Sequence, residues 1–142
     1  MKPLLSSIMW FLLCLSGVAV AGHAVLKEQT QGAVTYITGG VGKEEQSYLR
    51  SVRSEYNLHL LFAVRGSGAY VANVQVRIDD ATGRTVLDAG TDGPHMFLRL
   101  KPGSYVVAAE RGGREITHKV ALGSGRGGAD LVFAFPGEPT DR

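Results

Sequence analysis

The sequence predicts a mainly β protein, an antiparallel β-sandwich with a single N-terminal helix. Three observations carry that expectation. Short apolar–polar alternating runs recur from residue 57 to the C-terminus, separated by glycine, proline and aspartate. Residues 98–113, L-R-L-K-P-G-S-Y-V-V-A-A-E-R-G-G, read as strand, Pro-Gly corner, strand and Gly-Gly turn. Only one stretch, residues 43–56, has apolar residues at three- and four-residue spacing.

The first two dozen residues read as a secretory signal. Lys2 gives a short positive start, residues 4–18 an apolar run, and Ala19-Val20-Ala21 a small-residue cleavage pattern, with a second cut plausible after Ala24. An uncleaved membrane anchor is the competing reading; Ser6, Ser7, Ser16 and the small residues at the end of the run favour cleavage. Cys14, the only cysteine, lies inside that run behind Leu13, which does not fit a lipoprotein site. The mature chain is thus expected to lack thiols, and with them disulfides and cysteine-ligated metal. Its roughly 120 residues make one domain, whose stability must come from its core.

Within it, residues 22–42 form an extension: a polar lead-in at 25–32, a possible edge strand at 33–38, then the break Gly39-Gly40-Val41-Gly42. Residues 43–56 form the amphipathic helix, with Tyr48, Leu49, Val52 and Tyr56 on one stripe. Glu44 and Glu45 suit its positive dipole end, Arg50 and Arg53 its negative end, and Asn57 a left-handed stop. Residues 57–136 form the sandwich and 137–142 a tail. Val74, Val76 and Ile78 face inward opposite Asn73, Gln75 and Arg77, as do Met96, Leu98 and Leu100 in the next strand pair and Tyr105, Val107 and Ala109 after the corner. Gly112-Gly113 favours a tight hairpin, because glycine accepts positive φ without steric cost.

Three strands are apolar in both phases. Leu61 and Ala63 lie behind Leu60 and Phe62, Val106 and Ala108 behind Tyr105 and Val107, and Val132 and Ala134 behind Phe133. If those strands are neighbours, one sheet needs a cover on its outer face. The Tyr48–Leu49–Val52 stripe is the expected cover; an oligomer or partner interface is the alternative.

The residues Asp92-Gly93-Pro94, the run from Leu98 to Ala109, and the upstream strand 72–78 with its Asp80-Ala81-Thr82-Gly83 turn together resemble the carboxypeptidase regulatory-like domain family. The resemblance covers about residues 58–135. It implies a transthyretin-like Greek-key sandwich of seven antiparallel strands. The block 36–42 followed by a helix is similar to small exported proteins of Gram-negative bacteria that carry this domain. A transthyretin-like hydrolase of hydroxyisourate ends in Tyr-Arg-Gly-Ser, whereas this chain ends Pro139-Thr140-Asp141-Arg142.

Chemical motifs are scarce. Gly39-Gly40-Val41-Gly42-Lys43 lacks the remaining glycine and the Ser/Thr of a phosphate loop; Ile37 and Glu44 stand there. Ser67, Ser104 and Ser124 form no nucleophile elbow. The net charge is +2 and the arginines are scattered, which argues against nucleic acid. His118 shares the inward phase of Ile116 and Val120, and His95 starts a strand. Among the tyrosines that could serve a glycan, Tyr36, Tyr70 and Tyr105, the last belongs to an apolar phase. The sequence therefore points to an exported, periplasmic, non-enzymatic module for protein interaction or structural support. Its partner would be a protein or cell-envelope component, with self-association also open. The alternative is small-molecule or glycan binding at one end of the sandwich. No catalytic, metal or cofactor-binding residue is assigned, no cofactor is expected, and the membrane is met only during export. The interaction residues are His95, His118, Tyr70, Leu61, Val106 and Val132.

Overall fold

The computed structural model describes residues 25–125 and 127–137. The signal segment with its cleavage site and Cys14, and most of the 137–142 tail, lie outside the described residues. The chain forms β1 (Gln29–Gln31), β2 (Val34–Gly39), α1 (Gly42–Val52), a 3-10 turn (Arg53–Glu55), β3 (Leu58–Val64), β4 (Gln75–Asp80), β5 (Thr85–Gly90), β6 (His95–Arg99), β7 (Gly103–Arg111), β8 (Arg114–Leu122) and β9 (Ala129–Phe135). The strands make a five-stranded sheet, β1-β2-β6-β3-β9, and a four-stranded sheet, β5-β4-β7-β8, which do not close into a barrel.

Period-two alternation builds the core between the sheets. Leu58, Leu60, Phe62, Met96, Leu98, Phe133 and Phe135 face inward from one sheet, and Val76, Ile78, Leu87, Val107 and Ala109 from the other. Phe62 and Phe133 lie with ring centroids 5.5 Å apart in a stacked arrangement, which adds to their burial. At the Pro-Gly corner the chain leaves the five-stranded sheet for the four-stranded one. There the Tyr105 hydroxyl donates to the Lys101 carbonyl at 2.7 Å, tying the new strand to the corner that precedes it. Gly112 and Gly113 take φ of 58° and 76°, joining β7 to β8 in register from Arg111↔Arg114.

Four expectations change. The sheets are not wholly antiparallel: β3 and β9 run parallel, from Leu58↔Ala129 to Val64↔Phe135. The 123–128 connection carries the chain from β8 across to the other sheet, and only a hairpin within one sheet would impose antiparallel pairing. There are nine strands among the described residues instead of seven, because the extension supplies β1 and β2. β2 is not an edge strand; it sits between β1 and β6 and buries Val34 and Tyr36 in the core. The helix ends at Val52, and Tyr56 leaves in extended geometry. Asn57 consequently makes no left-handed stop. Its side chain bonds both the Leu100 carbonyl and the Leu100 amide, at 2.7 and 2.9 Å.

Candidate functional site

The helix packs on a sheet face, but not across all the strands the apolar rows suggested. Leu49 is buried against Ile37 of β2, Phe97 of β6 and Tyr56, with Leu26, Tyr48 and Val52 partly buried around them. This seats α1 over the β2–β6 half of the outer face of the five-stranded sheet. Val106 and Ala108 lie on the other sheet, where β7 is flanked by β4 and β8. Their register neighbours are Asp79 and Lys119 for Val106, and Arg77 and Thr117 for Ala108. These neighbours are charged or hydroxyl-bearing, not further apolar residues, so the outer row on this sheet stays narrow and no helix is needed there.

The turn from β2 into α1 is built for close approach. Glu45 Oε1 accepts the Gly40 and Val41 amides at 3.1 and 3.3 Å, satisfying donors ahead of the helix. Gly40 has φ +103°, and a Cβ there would stand 2.5 Å from the His95 ring. Gly40 is therefore a fitted contact between the helix entry and His95.

Beyond the helix, the outer face stays open. Leu61 pairs in register with His95 on one side and Val132 on the other, and Ala63 with Ala134. Tyr70 bridges to Ala63, bringing its ring centroid 6.0 Å from that of His95. Tyr70 is 59% exposed and Val132 54%, the two most exposed large hydrophobics of this face. Between this strip and α1 lies a cavity of about 220 Å³, lined by Gln46, Leu49, Arg50, Arg53, Tyr70, His95 and Phe97. Burial, and secondarily the Arg53 charge, hold the His95 pKa below the ordinary histidine value, so its imidazole stays neutral to lower pH.

Arg53 closes the far end of the groove. Its guanidinium pairs with Asp130 of β9 and lies 5.6 Å from the Phe97 ring centroid. His59 is buried beneath: Nε2 faces the Arg53 carbonyl at 2.8 Å and Nδ1 stands 3.0 Å from Asp130 Oδ1. Gly128 gives it room, since a Cβ there would reach within 2.6 Å of the ring. Arg53 and Asp130 are 77 residues apart, a pairing no local spacing announces. His59 and this strut are what sequence reasoning missed; the only trace was a histidine in a strand's outward phase.

Four of the six sequence-derived interaction residues, His95, Tyr70, Leu61 and Val132, thus converge, and two do not. Val106 lines a shallow depression on the other sheet with Asp79, Lys119 and Ala121. His118 points inward at the sandwich margin, with its ring 4.8 Å from that of Phe133 in edge-on contact. Of the three tyrosines, Tyr36 and Tyr105 are buried and only Tyr70 presents a ring to solvent. Among the described residues, no three His, Cys, Asp or Glu side chains converge as metal ligands, and no helix is long and apolar enough to cross a membrane. No model of a protein family matches the chain, and no curated protein matches it.

Proposed function

We propose that the chain is a non-enzymatic protein-interaction module of the periplasm that binds through the outer face of its five-stranded sheet. The observation that carries this reading is the convergence of Tyr70, Leu61, Val132 and His95 on the half of that face the helix leaves open. Exposed contiguous apolar surface beside a charged rim is the usual composition of a contact surface. The Tyr105–Lys101 bond at the Pro-Gly corner supports reading the fold as a transthyretin-like Greek-key sandwich of the carboxypeptidase regulatory-like kind. The signal-like first 21 residues support export.

Site-specific photo-crosslinking in intact cells tests the reading. A photoreactive residue at Val132 or Tyr70 gives an adduct of discrete mass, while one at Thr117, on the other sheet, gives none. Equal labelling at all three positions, or labelling at none, defeats it. A second reading has one observation in its favour: the exposed Tyr70 ring beside a cavity could stack on a sugar. A thermal-shift screen in which a glycan raises the melting temperature, with no protein crosslinked, would favour that reading.

A further inference from the structure

The groove between α1 and the open strip combines a partly apolar pocket with an arginine that lacks an acidic partner among the described residues. Arg53 is held by Asp130, but Arg50 forms no ion pair among the described residues. Its guanidinium donates to Ser47 Oγ at 3.1 Å, a neutral acceptor. Leu49, Phe97 and Tyr70 supply the apolar wall, and Gln46, Arg53 and His95 line the rest. The cavity's volume of about 220 Å³ decides what can enter. Small-molecule sites run to roughly 300–1,000 Å³, whereas a void of about 150 Å³ already accepts one benzene ring. That volume matches one side chain.

A guest must therefore carry an apolar body and an anion within a few ångströms of each other. An internal aspartate or glutamate has the anion without the body. A C-terminal apolar residue has both on one Cα, and capture of a terminal carboxylate is an established mode of peptide recognition. We propose that this cavity receives the C-terminus of a partner protein, with its last side chain against Tyr70, Phe97 and Leu49 and its carboxylate on Arg50. This rests on the interaction reading above and names the chemistry of the partner.

The test uses two probes, N-acetyl-Gly-Ser-Gly-Phe with a free C-terminal carboxylate and the same peptide as its C-terminal amide. They are titrated into isotope-labelled protein and followed by NMR. The acid shifts the Arg50, Tyr70 and His95 signals and binds about tenfold more tightly than the amide, the equivalent of about 1.4 kcal/mol. Arg50→Gln, at an exposed helix position, removes that preference while the Ile37 methyl signals stay in place; Tyr70→Ala weakens both peptides. Equal binding of acid and amide overturns the proposal, as do shifts confined to Leu61 and Val132, absence of binding, or tighter occupancy by glucuronic acid. Crosslinking at Val132 would survive each peptide failure, so loss of the carboxylate pocket is distinguishable from loss of the interaction surface.

Discussion

The two outer faces of the sandwich began from the same apolar pattern and ended differently. On the four-stranded sheet, Val106 and Ala108 sit among Arg77, Asp79, Thr117 and Lys119, and the face needs no other element. On the five-stranded sheet, Ile37 and Phe97 pair on adjacent strands beneath α1. Leu61 and Val132 pair on β3 and β9 in a second apolar strip that α1 leaves open, with His95 and His59 in the register rows between them. An outward apolar row is therefore not by itself a demand for cover. What decides is the width of the apolar surface across neighbouring strands, a property of the sheet order.

The largest expected effect comes from charging the covered half. Leu49→Asp places a carboxylate against Ile37 and Phe97 and should cost about 4 kcal/mol, lowering the melting temperature by on the order of 10 °C or more. Val106→Asp should cost less, about 1 kcal/mol, because the site is only half-buried, with the attraction of Lys119 on one side offset by repulsion from Asp79 on the other. Equal losses in thermal unfolding would erase the contrast between the faces. Gly40→Ala should follow, at about 1–3 kcal/mol by denaturant titration, since it strains a positive φ and meets the His95 ring. Tyr105→Phe removes the corner bond and should cost about 1 kcal/mol without moving the α1 signals.

The smallest effect is a pH dependence. The His95 pKa is lowered in the fold, so the unfolded chain binds a proton more readily. Stability from this group is complete above the unfolded value, near 6.5, and falls as pH drops from there towards the folded value. Melting temperature measured between pH 7 and 5 should decline less in His95→Phe than in the parent. An identical decline would show that His95 does not face the buried, Arg53-shadowed environment described.

Much of the fold was legible because local chemistry announced it. Most strand regions beyond residue 57, the Gly112-Gly113 hairpin and most inward phases follow from alternation and turn residues and are present. The strand read from residue 72, however, begins only at Gln75, because Asn73 takes a positive φ of 57° and breaks the extended backbone. The parallel β3–β9 pairing was not legible, because alternation says which face a residue takes and never which strand lies beside it. Tyr56 ended the helix early for a tertiary reason: its hydroxyl bonds Glu28 Oε2 at 2.5 Å and its ring approaches Phe97. Tyr70, Leu61 and Val132 were readable singly as exposed or two-faced positions. Their meeting with His95 depended on β6 entering beside β3, which no spacing encodes.

That late pairing also has a consequence in time. β3 is made long before its partner on one side, β9, which follows 71 positions later, from Leu58 to Ala129. Until the last strand emerges, Phe62 has no Phe133 to stack on and one side of β3 has no ladder. Closing so long a loop is slow, and the unfinished edge is sticky while it waits. The five-stranded sheet is thus completed only once β9 has been made. A chain ending before residue 129 should accumulate as an aggregation-prone species, not as a smaller version of the fold.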